Sequence, residues 1–327
     1  MAQVFFPTLP PDTAQAMQRF DELYLESLQS EVPTIALALT HLRRGLGKRL
    51  RPLIVILTAE CYGVQNDRVI RAAVSLELLH MASLIHDDVV DESMTRRGEA
   101  SFNALLGNHK AVLLGDYILS HAFNLALDLD LPLLVRKMAE LGADLSKGEL
   151  LQLDISQLAD TTEEQYLEVI KQKTAALMQG SMITGAAVAE VRDGRTLHAL
   201  AEASMHLGIA FQIKDDIFDY LPSPELGKPS SNDLKEHKVT LPLIHALGTQ
   251  GTQATKAQKL LRKQRLSEQE IDFLVNFAIK SGGIDYADKV MRTHIKECKH
   301  LLSETLPPSP AKETLLGICD YIVDRDK

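Results

Sequence analysis

The sequence predicts an all-α fold, with one domain of roughly ten or more helices over residues 1–327. Apolar residues recur three and four positions apart over long stretches, which is the spacing of one helix face. Alternating strand patterns bounded by turns are hard to find, and helix breakers fall between the periodic stretches. No low-complexity linker or shift in composition divides the chain, so a single domain is expected.

Four long stretches have this helical periodicity, and turn-forming residues separate them. The stretches expected to be helical are Ile70–Ile85, Tyr117–Leu127, Tyr166–Val191 and Leu197–Phe218. The breakers are Gly63, Asp130–Pro132, Asp193–Gly194 and Pro222–Ser231. Ser267 and Glu270 have the spacing of a capping box at the start of a later helix. The segment Met178–Val191 is almost free of polar side chains, so it is expected at the centre of the bundle.

The composition is that of a globular protein in a reducing compartment. Of the 327 residues, 45% are hydrophobic, and the formal net charge of −9 argues against nucleic acid as a partner. No apolar run approaches the roughly 18 residues of a membrane span. Cys61, Cys298 and Cys319 lack CxxC spacing, so no disulfide framework is expected. A cytoplasmic location is expected for the same reason. Residues 1–13 show no signal-peptide pattern and are expected to form a flexible N-terminal tail.

Two Asp-Asp-x-x-Asp motifs are the strongest functional signal. Asp87, Asp88 and Asp91 form the first, and Asp215, Asp216 and Asp219 form the second; both lie among apolar residues. Positions i and i+4 of a helix share one face, and like charges at that spacing repel each other. A hard divalent cation such as magnesium would offset the repulsion, because it takes carboxylate oxygens together with waters and substrate phosphates. The motifs therefore predict a magnesium-dependent enzyme that acts on diphosphates.

Basic residues that could bind phosphate lie near both motifs. Three cations occur in Lys48–Arg51, and Arg96 and Arg97 follow the first motif closely. Lys173 lies inside an apolar helical stretch, where an unpaired ammonium group is costly. Lys228 and Lys238 follow the second motif. Arginine binds phosphate through paired hydrogen bonds and lysine supplies a point charge, so these residues match a diphosphate substrate.

A series of motifs stands in a fixed order between Gly47 and Leu243. They are GKRLRP, LLHMASLIHDDVVDESMTRRG, GDYILSHAF, LSKGELLQLD, KTAAL, FQIKDDIFDY and GKPSSNDLKEHKVTLP. In this order they resemble the trans-prenyltransferases, also called polyprenyl diphosphate synthases. The resemblance implies an all-α bundle around a deep central cavity, usually a homodimer, that condenses an allylic diphosphate with isopentenyl diphosphate head to tail.

The resemblance also implies roles for individual residues. It gives magnesium ligands, with three ions when substrate is bound, at Asp87, Asp91 and Asp215, supported by Asp88 and Asp219. It gives contacts to the allylic diphosphate at Arg96, Lys173, Thr174, Gln212, Lys228 and Lys238. It gives contacts to isopentenyl diphosphate at Lys48, Arg51, His80 and Arg97. No side chain is implied as the catalytic base, because the released diphosphate takes the proton.

Product length should depend on the residues one helical turn before Asp87. One turn rises about 5.4 Å, roughly one isoprene unit. Ala82 and Ser83 are small, whereas short-chain members of the family have bulky residues there, so a product of about six or more isoprene units is expected. Such a product would need transfer to a membrane. The chain also departs from the family pattern, since Leu46, Ser231 and His237 replace glycines that are common at these positions.

Other functions remain as alternatives. A short-chain farnesyl or geranylgeranyl diphosphate synthase would share the motifs. A class I terpene cyclase usually has a different second metal motif, and a head-to-head synthase lacks the GKR element. An HD phosphohydrolase would need further histidines. A non-catalytic subunit of a heteromeric synthase typically loses part of an aspartate motif, whereas both motifs are intact here.

Overall fold

A computed structural model describes residues 6–42, 49–96, 98–156, 161–222, 231–263 and 265–325. Within these ranges the regular secondary structure is helical apart from one small hairpin of β1 (Thr95–Arg96) and β2 (Glu99–Ala100). The α-helices are α1 (Pro11–Glu26), α2 (Pro33–Leu42), α3 (Leu50–Cys61), α4 (Asp67–Val90), α5 (Phe102–Leu106), α6 (Asn108–Leu127), α7 (Pro132–Ser156), α8 (Glu163–Ile170), α9 (Ala176–Val188), α10 (Gly194–Tyr220), α11 (Asn232–Lys235), α12 (Leu241–Leu247), α13 (Thr252–Leu261), α14 (Glu268–Lys280), α15 (Gly283–Thr305) and α16 (Pro310–Asp324). The all-α prediction is confirmed.

The helix boundaries follow local sequence signals. Gly63, with φ of +75°, lies in the turn between α3 and α4. The Asn66 side chain accepts the Val69 N–H at the start of α4, and Asp193 accepts the Thr196 N–H at the start of α10. The predicted capping box is confirmed, because the Glu270 carboxylate accepts the backbone N–H of Ser267 at 2.9 Å.

Helix α9 lies at the centre of the bundle, as its sequence predicts. Nearly every one of its residues is buried, and it packs against α3, α4, α7 and α10. Small residues allow this close packing: a Cβ atom added at Gly185 would lie 2.4 Å from the Val55 carbonyl oxygen. Helices α4 and α10, which carry the two aspartate motifs, therefore pack against the same central helix.

The predicted continuous helix Tyr166–Val191 is wrong in one respect. A π-helix (Lys171–Ala175) separates α8 from α9. Glycines let the neighbouring helices approach it from two directions. A Cβ atom added at Gly208 of α10 would lie 2.4 Å from Ala175 of the π-helix. A Cβ atom added at Gly148 of α7 would lie 2.9 Å from the π-helix. Wide turns of this kind recur at functional sites.

Apolar packing is continuous along the long helices. Two large buried clusters surround them, the first including residues of α1, α4 and α6, and the second residues of α3, α10, α15 and α16. By length and composition, α4 is the one helix in the described ranges that could cross a membrane, which the sequence expectation did not anticipate. However, 72% of its apolar window is buried inside the protein, so α4 serves here as a core helix.

The N-terminal residues pack against the rest of the protein from Phe6 onwards. The Phe6 ring meets the Tyr321 ring with centroids 5.1 Å apart. Thr13 is fully buried in the first turn of α1, and its hydroxyl donates to a Glu60 carboxylate oxygen at 2.6 Å. Residues 11–13 begin α1, and Thr8, Pro11 and Asp12 are exposed. The flexible tail over residues 1–13 stays a prediction; residues 1–5 lie outside the described ranges.

Candidate active site

A cavity of about 710 Å³ opens between α4 and α10. Its wall also includes the start of α3, the end of α7, the π-helix and the segment after α16. The predicted site residues that line it are Arg51, His80, Ser83, Asp87, Asp91, Arg96, Lys173, Thr174, Gln212, Asp215 and Lys238. Arg51 and Asp215, which are 164 positions apart in the chain, thus line the same cavity.

One face of α4 forms a long side of the cavity. Glu77, His80, Ser83 and Asp87 follow each other at intervals of three or four residues and all line it. Asp91 also lines it, but it is the residue that ends α4 rather than a residue inside the helix. The predicted shared face of Asp87 and Asp91 is therefore retained across the last turn.

Asp87 is partly buried in an acidic environment. The pKa of its carboxyl group is raised from 3.8 to about 6, chiefly by burial and also by the charges of Glu149 and Asp91. The Lys173 and Arg96 cations act in the opposite direction. A raised carboxyl pKa means that negative charge here lacks compensation, which a bound cation would supply.

Lys173 is a half-buried cation whose partner could not be identified from the sequence. Its Nζ lies 2.5 Å from Glu149 Oε2 and donates to Gln152 Oε1 at 3.2 Å. Both partners lie on α7, three residues apart in the LSKGELLQLD segment. That Glu-x-x-Gln spacing beside a glycine was the signal that could have assigned them to the site.

Asp88 is not among the residues that line the cavity, and its predicted support of the magnesium ligands stays a prediction. It is 1% exposed, and its Oδ1 accepts from Arg96 Nε at 2.7 Å and Nη2 at 2.6 Å. The reason is helical geometry, because consecutive residues point about 100° apart around the axis. Asp88 instead fixes the guanidinium group of Arg96, which does line the cavity.

Asp219 is not among the residues that line the cavity, and its predicted support of a metal ion stays a prediction. Its two carboxylate oxygens accept the backbone N–H groups of Asn232 and Asp233, at 2.9 and 3.1 Å. These donors belong to the first residues of α11, whose N–H groups have no partner within the helix. Asp219 therefore anchors the segment that leads to Lys238.

Asp215 faces the cavity and pairs with an arginine that the sequence analysis missed. Arg325 Nη2 lies 2.5 Å from Asp215 Oδ1 and also donates to the Phe211 carbonyl oxygen at 3.2 Å. Its guanidinium group stacks 4.3 Å from the centre of the Phe211 ring. Only the fold could bring together residues 110 positions apart, so no local pattern signals this pair.

Lys238 connects the two sides of the cavity. Its Nζ donates to Asp91 Oδ2 at 3.1 Å and to Glu236 Oε2 at 2.7 Å. These carboxylates raise the pKa of Lys238, although burial acts against them. The ammonium group thus stays charged where an anionic substrate would lie.

A second unpredicted network fixes the start of α3. Arg49 Nη1 donates to Glu77 Oε1 at 2.8 Å, and the guanidinium group lies 4.3 Å from the centre of the Tyr24 ring. Arg49 has φ of +51° immediately before α3, a backbone conformation that costs a non-glycine residue about 1–2 kcal/mol. The network holds the turn from which Arg51 reaches the cavity.

The remaining predicted residues divide into two groups. Lys48, Arg97 and Lys228 lie outside the described ranges. Ala82 does not line the cavity, which corrects its assignment as a length gate: it is 1% exposed and packs in the apolar core. Ala82 points about 140° from Asp87 around the helix axis, whereas Ser83 points only about 40° away and lines the cavity.

Two departures from the family pattern have a visible backbone consequence. Ser231 and His237 have φ of +51° and +58°. This left-handed region favours glycine, because other side chains crowd the backbone there. The family glycines at these positions therefore match a conformation that this chain retains with bulkier residues.

Within the described residues, no group of three or more His, Cys, Asp or Glu side chains is arranged to hold a metal ion. Magnesium does not need such a cage, since one or two carboxylates plus substrate phosphates and waters suffice. Asp87, Asp91 and Asp215 supply hard oxygen donors on both sides of one cavity, so the donor chemistry fits magnesium.

The family model described as polyprenyl synthetase matches residues 32–278. The chain belongs to the polyprenyl synthetase family. It is 36% identical to the octaprenyl diphosphate synthase of Haemophilus influenzae over 313 residues, covering 95% of this chain and 94% of that one. It is 34% identical to the all-trans-nonaprenyl-diphosphate synthase (geranyl-diphosphate specific) of Rhodobacter capsulatus, covering 99% of each chain.

Solved structures of the family have the same fold. A polyprenyl synthase of Caulobacter crescentus, crystallised with calcium and isoprenyl diphosphate, matches with a TM-score of 0.89 and 31% identity, covering 96% of both chains. A decaprenyl diphosphate synthase of Rhodobacter capsulatus matches with a TM-score of 0.89 and 32% identity, covering 96% of this chain and 97% of that one. The resemblance found in the motifs is thus confirmed at the level of family and fold.

Proposed function

We propose that this chain is a magnesium-dependent trans-prenyltransferase that condenses an allylic diphosphate with isopentenyl diphosphate. The product is an all-trans polyprenyl diphosphate of about six or more isoprene units. The observation that carries the proposal is the meeting of Asp87 and Asp91 from one motif with Asp215 from the other across one cavity. The same cavity contains Arg96, Lys173 and Lys238 as cations for a diphosphate. We expect a single domain over residues 1–327, since α9 packs against helices of both motifs.

Magnesium would be held by Asp87, Asp91 and Asp215, with three ions once substrate is bound. When bound, it neutralises the diphosphate leaving group, which otherwise departs slowly because its charge is unbalanced. The relative crystallised with calcium and isoprenyl diphosphate supports a divalent cation beside this kind of substrate. Asp88 and Asp219 support the site indirectly, by fixing Arg96 and the segment before Lys238.

The chain's own residues bind and orient two diphosphates. Arg96, Lys173 and Lys238 hold the allylic diphosphate beside the aspartates, together with Lys228. Arg51 lies at the start of α3, and His80 lies about two helical turns before Asp87 on α4. Together with Lys48 and Arg97, they hold isopentenyl diphosphate. Holding the two reactants in contact replaces a bimolecular encounter by an internal step.

The bond changes balance without a protein base. The bond between C1 of the allylic chain and its diphosphate oxygen breaks, and the double bond of isopentenyl diphosphate attacks C1 through C4. The proton that then leaves C2 goes to the released diphosphate, which restores an allylic product. Thr174 and Gln212 present oxygen atoms close to the cationic carbon, and the apolar cavity wall excludes water that would quench it.

Ser83, rather than Ala82, is the proposed length gate. It is small, lines the cavity and lies one turn before Asp87, so a growing chain passes it first. The octaprenyl and nonaprenyl synthases to which the chain is similar support a long product.

We further propose a homodimer in the cytoplasm that hands its product to a membrane. The exposed residues Leu113 and Leu127 of α6 lie on one helix face and are 68% and 60% exposed. A second copy covering this face would remove apolar surface from water. The product itself is apolar, so a membrane is its expected destination.

The test supplies purified chain with farnesyl diphosphate, labelled isopentenyl diphosphate and magnesium. We expect label in linear, acid-labile prenyl diphosphates, none after chelation of the metal, and losses of at least about a hundredfold for Asp87→Ala and Asp215→Ala. Asp154→Asn on α7 is the matched control and keeps wild-type incorporation. No incorporation by the folded wild-type chain, or a cyclic hydrocarbon product, would overturn the proposal.

A further inference from the structure

Arg49 and Glu77 form a buried ion pair in the cavity wall, and the proposed reaction gives neither residue a role. Both line the cavity, and they are only 8% and 7% exposed. Arg49 Nη1 donates to Glu77 Oε1 at 2.8 Å, and Arg49 Nε lies 3.5 Å from Asp21 Oδ1. The guanidinium carbon lies 4.3 Å from the centre of the Tyr24 ring and 5.4 Å from that of Phe20. One side chain thus joins α1, the start of α3 and α4.

The ion pair connects the two helices that carry the proposed contacts to isopentenyl diphosphate. The Arg49 carbonyl oxygen accepts the Leu53 N–H at 3.1 Å and so begins the first turn of α3, which contains Arg51. On α4, His80 follows Glu77 by three residues, and both side chains line the cavity. The contact between Arg49 and Glu77 therefore fixes the distance between the backbone segments that carry Arg51 and His80.

Stability alone does not account for this network. Taking two charges out of water costs free energy that their attraction only partly returns, and apolar residues of similar volume are often at least as stabilising. Arg49 also has φ of +51°, a conformation that strains every residue except glycine. Strained backbone persists where the surrounding contacts over-determine it, and it clusters at functional sites. These costs favour a role of the network in placing a residue that binds the substrate.

We propose that Arg49 and Glu77 are positioning residues for isopentenyl diphosphate. They act by holding Arg51 and His80 in the orientation that binds this substrate. The inference rests on the proposed function, because that function assigns isopentenyl diphosphate to Arg51 and His80. Helix α1 supplies both aromatic rings of the network, although it precedes the residues that match the family model and none of its residues lines the cavity. The effect of α1 on the substrate is therefore transmitted by Arg49.

The double substitution Arg49→Met/Glu77→Leu tests the pair without leaving one buried charge unpaired. Initial rates would be measured with isopentenyl diphosphate varied at saturating farnesyl diphosphate, and then with the two substrates exchanged. We expect the KM of isopentenyl diphosphate to rise about tenfold, while kcat and the KM of farnesyl diphosphate stay within about threefold. A wild-type KM of isopentenyl diphosphate in the folded double variant, or an equal rise of both KM values, would refute the inference.

The substitution Glu77→Gln separates positioning from direct binding by Arg49. If Arg49 bound the substrate itself, its release from Glu77 would lower the KM of isopentenyl diphosphate, and that result would refute the inference. A positioning pair predicts a rise of about threefold to tenfold, because a neutral amide holds the guanidinium group less firmly. Tyr24→Leu, outside the cavity, should raise the same KM about threefold. The control Phe277→Leu, at a buried aromatic residue of α14, should leave both KM values unchanged.

A binding measurement gives a readout that does not depend on turnover. Calorimetry would compare isopentenyl diphosphate, without an allylic partner, with unreactive farnesyl thiodiphosphate. The double substitution should weaken the binding of isopentenyl diphosphate about tenfold and change that of farnesyl thiodiphosphate by less than about threefold. Equal weakening of both ligands would reduce the network to structural support. A wild-type chain that binds isopentenyl diphosphate but forms no product would overturn the proposed function, and selective weakening by the double substitution would still support the positioning role.

Discussion

The substitution Asp87→Asn should stabilise the metal-free protein at alkaline pH. Burial raises the pKa of Asp87 from 3.8 to about 6, so the folded protein above that pH contains an ionised carboxylate that it tolerates poorly. Asparagine has the same shape and no charge. The loss of a charge that catalysis needs should therefore increase the stability of the empty enzyme.

The sign follows from proton linkage. The unfolded chain releases this proton near pH 3.8 and the folded chain near pH 6, so folding takes up a proton between these values. The contribution of Asp87 to stability is greatest below about pH 4, falls as the pH rises to about 6, and is constant above. Two pH units at about 1.4 kcal/mol each give a penalty of about 3 kcal/mol at pH 8.

The assay is denaturant unfolding of both proteins at pH 4.5 and pH 8, with and without magnesium. Without metal, the free energy of unfolding of Asp87→Asn should exceed that of the wild type by up to about 3 kcal/mol at pH 8 and by much less at pH 4.5. Magnesium should stabilise the wild type more than the variant at pH 8. The substitution Asp154→Asn, at an exposed position, is the control and should leave the free energy of unfolding unchanged at both pH values. A variant that is no more stable than the wild type at pH 8 would refute the reasoning.

Three further predictions concern the gate, a loop and Arg325. Ser83→Phe should shorten the products seen by mass spectrometry, whereas Ala82→Phe should lower the free energy of unfolding by about 1–3 kcal/mol through overpacking; unchanged products from Ser83→Phe would contradict the gate. His237→Gly should raise the free energy of unfolding by about 1 kcal/mol in denaturant titration. A decrease in the free energy of unfolding would argue against backbone strain at His237. Arg325→Met should tighten magnesium binding in calorimetry about tenfold, because the guanidinium group competes for Asp215; weaker binding would show that Arg325 supports the site.

The helices and the site could be predicted where the signal is local. The spacing of Asp87 and Asp91 and the apolar residues around both motifs were enough to identify facing acidic surfaces, and the family motifs then supplied the cations. A residue within a motif could still be assigned to the wrong face. Asp88 pairs with Arg96, and Asp219 accepts the N–H groups of Asn232 and Asp233, so neither carboxylate is among the residues that line the cavity.

What the sequence could not supply depends on tertiary contacts. The π-helix lies where Gly148 and Gly208 let α7 and α10 approach closely, and no periodicity within the segment marks it. To decide whether Ala82 or Ser83 lines the cavity, one must know which face of α4 is turned toward the cavity, and packing sets that. The Arg325–Asp215 pair joins residues that only the complete fold brings together.

The most direct test of the account is the length of the product that the wild-type chain makes from farnesyl diphosphate, isopentenyl diphosphate and magnesium. Mass spectrometry should find linear all-trans prenyl diphosphates of about six or more isoprene units, with shorter species only as intermediates that disappear with time. Accumulation of a product that stops at three or four units, with substrate still present, would contradict the central claim.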